Sequence, residues 1–534
     1  MTTAPPTAAP AAPVAPAARP APRTFSIGGT AYPVFLPSIR DPRLHVAAVI
    51  ITVHVLGQVG LGFWVSVPQI LAAILTCAVL EVAITFQQSR AFVWPASAML
   101  TGSGVALILR VVGTPQGQPW STDAWYVFAV VAGLSLLSKY VIRYRGSHVF
   151  NPSNIGLVVA FLVLGSSRAE PLDFWWAPLN VWMLAAYAVI TVGGLLITRR
   201  LRLLGLAAAF WVTFALALGV LAASGHSMVA RWSFAPVSGF DFWRVIVLSP
   251  EVLIFLFFMI TDPKTVPTGQ VGRVVFGALV AVVCTLLMAP QTDEFGTKVA
   301  LLSGLVVMCA ARPLLDRLLP EPKSAADQLG LYARRLGLRA PVRAAVAAVV
   351  VLAVGTSIVL AGTPARGFVV ANSSEILARL PDQVDPGTLP AVTADADVAD
   401  FIAGGGLPAV VVTLAQNLEF ENQALLRRDE SILTAVDHGD RLLEMQNRLQ
   451  SLGAGATTVV HYRFDSIHAT LLIPFGKQDG FSIGLRSTGT RTEETFVRDV
   501  LQSRVESPFD LTFAVRRATG DRWLTVAVLP APPG

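Results

Sequence analysis

Residues 244–260 read RVIVLSPEVLIFLFFMI, and this stretch is the clearest indication of the fold class. It is apolar enough to lie in a bilayer, but it is shorter than the ~20 residues that a helix needs to span the hydrocarbon core. Ser249 and Pro250 interrupt it, and this pair is typical of a helix N-cap and first helical residue. The stretch therefore predicts a helix broken at Ser249. Such a break is tolerated at membrane depth only inside protein or beside a cavity.

The composition of the whole chain agrees with a membrane location. Of the 534 residues, 54% are hydrophobic and 14% are charged, whereas a soluble domain carries about 25% charged residues. This deficit excludes a large soluble enzyme and predicts a polytopic α-helical membrane protein whose main partner is the lipid bilayer. The net charge of +6 comes from arginines in short loops, which is typical of membrane orientation and does not indicate a nucleic-acid partner. The three cysteines lie in apolar runs, so we expect no disulfide framework, iron–sulfur cluster or metal site.

Eleven apolar stretches predict the membrane-spanning helices. They are 44–65, 69–86, 96–112, 123–142, 150–165, 175–197, 201–223, 244–260, 271–289, 297–315 and 342–362. Like 244–260, the stretches at 96–112 and 150–165 are short, and each begins beside a proline, Pro95 or Pro152. Asn151 is a favourable N-cap in front of Pro152. These features predict two further helices that end inside the protein or at a cavity.

Basic residues collect in alternate loops between these stretches, and this pattern predicts a multi-pass protein of the cell membrane. It places the N-terminus in the cytoplasm and everything after the eleventh span outside it. Residues 1–43, which begin with an Ala/Pro-rich run, are expected to form a disordered cytoplasmic tail. Residues 316–341 resemble a cytoplasmic amphipathic linker that leads into the final transmembrane helix at 342–362.

The composition changes at residue 365, and 365–534 reads as an extracytoplasmic α+β domain. Within it, 407–414 and 457–474 predict strands, and 418–451 predicts one long charged helix. Residues 510–529 predict two final strands.

Ionisable residues within membrane spans are candidates for function by default. Glu251 lies deepest, and Glu81 lies nearer the cytoplasmic end of the second span, so both are candidates for an ion or substrate path. Arg110 stands at the end of its span, where a long side chain is expected to reach outward to the interface. From the residues alone, the sequence predicts a membrane protein with broken helices and a polar site, and it identifies no catalytic residue.

Two motif segments carry a resemblance to a known family. The first, HVFNPSNIGL at 148–157, follows AMLTG at 98–102, and the second is FFMITDPKT at 257–265. Together they resemble the NqrB/RnfD family, the membrane subunits of the sodium-pumping NADH:quinone reductase and of the Rnf electron-transport complex. The chain is similar in particular to stand-alone actinobacterial members associated with enediyne biosynthesis, which share a long tail and an extra outward domain.

The resemblance implies a fold, a function and a set of site residues. It implies that 44–315 forms an inverted repeat of five plus five helices, about ten in all, followed by one extra helix. It also implies electron transport coupled to ion movement, with redox partner proteins and with FMN or riboflavin, or a quinone, near the helix breaks. The candidate cofactor-binding residues are Thr101, Asn151, Pro152, Ser153, Thr261, Asp262, Lys264 and Thr265. Backbone amides and Lys264 suit a phosphate or an electron-rich ring edge. Asp262 could instead cap a helix or orient a loop.

One feature of the family is missing at its expected place. Family members attach FMN to a threonine in a Ser-Gly-Ala-Thr segment shortly after the Asn-Pro helix, but residues 165–171 here read GSSRAEP. We therefore expect any flavin at this position to be bound non-covalently. A near-match, AGAT at 454–457, lies in the C-terminal domain, so Thr457 is a candidate for covalent flavin. The alternative is a simple turn before a strand at 458–463.

Two other functions stay open from the sequence. The same scaffold could serve as a small-solute or ion transporter without redox activity, because broken helices and Glu251 suit a substrate site. The C-terminal domain could also be a partner-binding module, although a solvated charged face is the more usual explanation of a helical stretch such as 418–451.

Overall fold

The computed structural model describes the chain in sixteen segments. They are residues 23–61, 63–111, 114, 119–166, 168–172, 181–228, 237–319, 340–366, 373–380, 387–395, 398, 406–452, 455–472, 482–498, 500–517 and 522–530.

The described residues of the membrane part form mainly helices, with short strands between them. Its helices are α1 (Pro42–Val59), α2 (Val67–Ser89), α3 (Ala96–Ile108), α4 (Trp125–Val141), α5 (Pro152–Leu164), α6 (Val181–Arg200), α7 (Leu204–Ala223), α8 (Gly239–Val247), α9 (Pro250–Ile254), α10 (Gln270–Met288), α11 (Glu294–Leu318) and α12 (Ala340–Ala361). Its strands are β1 (Arg23–Ile27), β2 (Thr30–Phe35), β3 (Phe92–Val93), β4 (Leu109–Val111), β5 (Arg143–Tyr144), β6 (Ser147–His148), β7 (Ala169–Pro171), β8 (Ser227–Met228) and β9 (Val237–Ser238).

Every one of the eleven predicted apolar stretches contains helix. Among the described residues, eight helical segments are long and apolar enough to cross a membrane when 239–260 is counted as one, and α3, α4 and α5 are shorter apolar helices. The prediction of a polytopic α-helical membrane protein is therefore confirmed. The outward-facing apolar side chains of these helices suit a lipid bilayer.

The predicted helix break at Ser249 is present. α8 ends at Val247, and α9 begins at Pro250 with the Ser249 hydroxyl accepting a hydrogen bond from the Val252 amide at 3.1 Å. After Ile254 the helix widens into a π-helix at Phe255–Ile260. α5 begins in the same way, because the Asn151 side chain accepts from the Asn154 amide at 3.2 Å. Both starts follow from a capping side chain in front of a proline that lacks an N–H group.

The connections collect at two faces of the helical bundle. At the first face, the guanidinium of Arg200 donates to the Arg40 carbonyl at 2.7 Å and that of Arg273 donates to the Arg202 carbonyl at 3.3 Å. At the second face, β4 pairs with β7, and the Ser227 hydroxyl donates to the Ala365 carbonyl at 3.2 Å. Because α3 and α5 are short, the β4–β7 ribbon lies directly beyond their ends.

The expectation of a disordered tail over 1–43 is wrong for its last part. β1 and β2 form an antiparallel hairpin, and β3 adds to it in parallel. Gly28 and Gly29 make the turn with φ of +57° and +80°, a conformation that glycine adopts without strain. Rings of Tyr32, Phe86 and Phe92 pack together beneath it. Residues 1–22, the Ala/Pro-rich part, lie outside the described residues.

The predicted linker at 316–341 falls mostly outside the described residues. Its first residues belong to α11, which continues to Leu318, and its end belongs to α12, which begins at Ala340.

The C-terminal part is an α+β unit, as predicted, but its elements differ from the prediction. They are a 3₁₀ turn at Thr363–Ala365, α13 (Ser373–Ala378), β10 (Val392–Ala394), α14 (Gly406–Arg427), α15 (Glu430–Val436), α16 (Gly439–Ser451), β11 (Ala456–Leu472), β12 (Ser482–Val497), β13 (Val500–Arg517) and β14 (Trp523–Pro530). The five strands form one sheet in the order β10-β11-β12-β13-β14. The strand predicted at 457–474 and the two at 510–529 are confirmed by β11, β13 and β14.

Two of the C-terminal predictions are wrong. Residues 407–414 form the start of α14 and not a strand, because the buried positions Val410, Leu414 and Leu418 recur at helical spacing along one face. Residues 418–451 form parts of three helices and not one. Asp429 caps α15 through the Ser431 amide, and Gly439 begins α16 with φ of +62°. β12 was not expected from the sequence at all.

Candidate functional site

The two motif segments meet at the first face of the bundle. The His148 Nε2 lies 3.0 Å from the Asp262 Oδ2, and the Asn151 side-chain amide donates to the Met259 carbonyl at 3.4 Å. His148 ends β6 just before α5, whereas Met259 and Asp262 flank the end of the π-helix. The start of one helix and the end of another are thereby joined across more than a hundred residues of sequence.

Asn151 and Ser153 are engaged in holding the start of α5. The Asn151 Oδ1 accepts from the Ser153 hydroxyl at 2.8 Å as well as from the Asn154 amide. Asn154 in turn donates to the Leu302 carbonyl of α11 at 3.0 Å. Asn151, Pro152 and Ser153 are all buried. These residues therefore lie inside the junction and not on its surface.

Residues 261–265 form a compact turn after the π-helix. The Asp262 Oδ1 accepts from the Lys264 amide at 3.0 Å, and the Thr265 hydroxyl donates to the Asp262 carbonyl at 3.1 Å. Thr261 donates back to the Phe257 carbonyl. This geometry shows Asp262 orienting a loop and binding His148 at once, so the alternative role considered for Asp262 is realised. Lys264 is exposed, and its carbonyl accepts a hydrogen bond from Arg312.

Thr101 lies in the middle of α3, where its hydroxyl donates to the Ser97 carbonyl at 3.2 Å. Its side chain is buried, and its hydrogen bond stays within its own helix. The described contacts therefore link Thr101 to α3 and do not link it to the junction of His148 and Asp262.

Glu251 belongs to a second polar cluster. Its Oε1 lies 3.7 Å from the Lys298 Nζ, and the same ammonium lies 2.6 Å from the Glu294 Oε1. Lys298 is 5% exposed, so a charged trio sits among apolar helices. Glu251 was predicted from the sequence, but its two partners at the start of α11 were not. Their i,i+4 spacing at the edge of an apolar stretch was the available signal.

A cavity of about 40 Å³ lies beside this trio. It is lined by Leu107, Ile108, Pro171, Leu172, Glu251, Ile254, Phe255, Lys298, Leu301 and Leu302. Pockets for drug-sized ligands measure roughly 300–1,000 Å³, so this one has room for a few water molecules or a small ion and not for a flavin ring.

Arg110 does not reach outward to the interface as expected. It is 4% exposed and lies on β4, where its guanidinium pairs with Glu170 of β7 at 2.8 Å. A second nitrogen pairs with Asp440 of α16 at 2.8 Å, and the group stacks on the Trp64 ring with 4.1 Å to its centroid. The sequence could not reveal these partners, because all three are distant along the chain.

Glu81 belongs to α2 and lies near the start of α3, whereas Arg110 follows the end of α3. Its carboxylate pairs with the Lys139 ammonium at 2.9 Å and accepts from the Tyr140 hydroxyl. The Ser97 hydroxyl is 3.5 Å from the same ammonium. Glu81 and Glu251 therefore belong to two separate charged clusters, one near each end of α3.

Thr457 lies in β11, opposite Phe496 of β12. The strand begins at Ala456, two residues earlier than in the alternative interpretation, and Gly455 precedes it with φ of +118°. Ala454 is outside the described residues.

No protein-family model matches the chain, and no curated protein matches it either.

Proposed function

We propose that this protein is an integral membrane electron-transport subunit of the NqrB/RnfD type, which binds flavin or quinone non-covalently and couples electron transfer to ion movement. The observation that carries the proposal is the contact between the two motif segments, His148 with Asp262 and Asn151 with the Met259 carbonyl. The two motif segments that resemble the family are thus in direct contact. The chain would work with redox partner proteins that supply and accept the electrons.

The residues at the junction fit such a group in part. Lys264 presents an exposed cation that suits a flavin phosphate or an electron-rich ring edge, and the His148–Asp262 pair lies beside it. The side chains of Asn151, Thr261 and Thr265 form hydrogen bonds with backbone groups. In this proposal they position the turn and do not contact the flavin or quinone. A bound flavin or quinone would supply the electron-transfer chemistry, and these residues would hold and orient its edge.

The inverted repeat of five plus five helices is part of this proposal. The third helix of the first five is the short α3, and the third of the second five is the broken α8–α9. Interruption at matching positions in two halves is the pattern expected when repeats meet at a midplane site. We also propose that the first face of the bundle is cytoplasmic and that the C-terminal domain is extracytoplasmic, in line with the arginine-rich loops.

The test is the cofactor content of the purified full-length protein. We expect flavin or quinone to co-purify in detergent in stoichiometric amount, measured by visible spectrum and by extraction. Lys264→Ala should lower this content, whereas Arg145→Ala, which removes another exposed cation from a loop of the first face, should not. A colourless protein free of both groups, before and after reconstitution with them, would contradict the proposal.

A second candidate is an ion or small-solute transporter without redox activity. The Glu251–Lys298 pair beside a cavity of water size favours it, because such a cavity suits a proton or a small cation better than a flavin. In proteoliposomes, Glu251→Gln should slow flux about tenfold or more if this carboxylate is on the path. Asp241→Asn, an exposed carboxylate on α8, is the matched control. Equal flux in both variants would exclude Glu251 from the path.

A further inference from the structure

Arg110 connects two parts of the chain that the sequence treats as separate domains. Its guanidinium is almost fully buried between Glu170 in the membrane part and Asp440 in the C-terminal part, with both pairs at 2.8 Å. Trp64, in the loop between α1 and α2, covers one side of it. A buried guanidinium between two carboxylates makes a strong and directional contact, because its hydrogen bonds are charge-assisted.

Asp440 is placed so that its carboxylate reaches the membrane part. It stands in the first turn of α16, where an acidic side chain is favourable. The next residue, Arg441, turns inward and pairs with Glu421 and, at 2.8 Å, with Glu444. The inner charges of α16 are therefore matched within the C-terminal domain, while Asp440 reaches across to the membrane part.

The ribbon that carries Arg110 is also a wall of the Glu251 cavity. Leu109 pairs with Pro171 and Arg110 with Glu170, and the Leu172 amide donates to the Ile108 carbonyl at 2.7 Å. Ile108, Pro171 and Leu172 line the cavity. The Arg110–Glu170 pair is therefore adjacent in the ribbon to the Leu109–Pro171 pair, whose Pro171 lines the cavity.

We propose that the C-terminal domain is a cover for this cavity, held shut by the contact between Asp440 and Arg110. When the contact is made, the β4–β7 ribbon is clamped between the domain and the bundle, and the Glu251–Lys298 pair is closed off on that side. When the contact breaks, the ribbon loosens and water or a small ion reaches the pair. This proposal holds for either function proposed above, since it concerns access to the cavity and not the chemistry there.

Thiol labelling of the full-length protein in detergent tests the cover. Leu172→Cys places a thiol on the cavity wall, and the native Cys77, Cys284 and Cys309 are fully buried and serve as a silent background. Adding Asp440→Asn should speed labelling of this thiol by a polar maleimide about tenfold, the effect of losing one charge-assisted hydrogen bond from the closed state. Asp440→Glu should restore slow labelling.

The control is Glu444→Gln, which removes a carboxylate from the same helix without touching Arg110. An unchanged labelling rate in Asp440→Asn would overturn the proposal, and so would an equal increase in Glu444→Gln, because that would mean general loosening of α16. Asp440→Ser is a second variant that removes the carboxylate, so that the result does not depend on asparagine alone. It should label as fast as Asp440→Asn, and slow labelling in a folded Asp440→Ser protein would also overturn the cover.

Discussion

At the scale of single residues, the ionisation and pairing of a polar side chain depend on its neighbours more than on its residue type. Glu251 and Asp437 are both carboxylates with charged neighbours, and the neighbour of Glu251 is the Lys298 ammonium. Asp437, in the C-terminal domain, is 1% exposed and lies beside Glu421 and Arg441. Burial, reinforced by the neighbouring Glu421 charge, raises the pKa of Asp437 well above its usual range.

The raised pKa of Asp437 makes stability depend on pH in a definite direction. In the unfolded chain this carboxyl ionises at pH ~3.9, so above that pH the folded state binds the extra proton and loses stability as pH rises towards the raised pKa of the folded state. Asp437→Asn replaces the carboxyl with a group of the same shape that does not titrate, and it should flatten this dependence. We expect the unfolding temperature of the full-length protein to fall less steeply in the variant as the pH is raised above ~3.9. Asp465→Asn, an exposed carboxyl, is the control, and parallel slopes in all three proteins would contradict the prediction.

At the scale of elements, helices of the membrane part approach closely where glycine removes the side chain. Gly102 of α3 lies against the backbone of α2, and Gly277 of α10 lies against that of α7. Small residues at such crossings let membrane helices pack backbone to backbone. The α2–α3 crossing matters for the site, because α3 lies between the Glu81 cluster and the cavity.

Replacing Gly102 tests how tightly this crossing is packed. The Cβ of Gly102→Ala would lie 2.8 Å from the Ala73 carbonyl carbon and from the Ile74 Cα, and neither backbone atom can move aside. Overpacking of this kind costs about 1–3 kcal/mol, so we expect a clear drop in unfolding temperature in detergent. Gly133→Ala is the matched control, because its Cβ would meet only side-chain atoms of Thr76 and Leu80 at 3.5 Å. Equal stability of the two variants would show that α2 and α3 are not in close contact.

At the scale of the whole molecule, an odd number of spans would put the two ends of the chain on opposite sides of the membrane. Eight long and three short apolar helices give 8 + 3 = 11 within the described residues. The arginine-rich loops at the first face predict that the N-terminal hairpin is cytoplasmic and the C-terminal sheet extracytoplasmic. The cover proposed above depends on the sheet domain and the cavity wall sharing one face, which the Arg110–Asp440 pair satisfies.

Labelling in intact cells checks this orientation. Ser26→Cys lies in the exposed N-terminal hairpin, and Ser503→Cys lies on the exposed part of β13. An impermeant maleimide should label Ser503→Cys in intact cells and Ser26→Cys only after the membrane is opened. Labelling of both from outside, or of neither, would contradict the orientation. The unsubstituted protein is the control, since its cysteines are buried.

Features that arise from neighbouring residues could be predicted from the sequence alone. The apolar stretches became helices because about 20 apolar residues in a row can satisfy their backbone in lipid in no other way. The break at Ser249 and the start of α5 at Asn151 followed from a capping side chain next to a proline.

Which charges pair became visible only in the folded chain. Lys298 beside Glu251, and Arg110 between Glu170 and Asp440, depend on elements distant in sequence, and α14 took helical form where a short apolar run allowed strand equally well. Local patterns fix an element and its start, whereas packing fixes its partners, because pairing energies depend on distance in space and not along the chain.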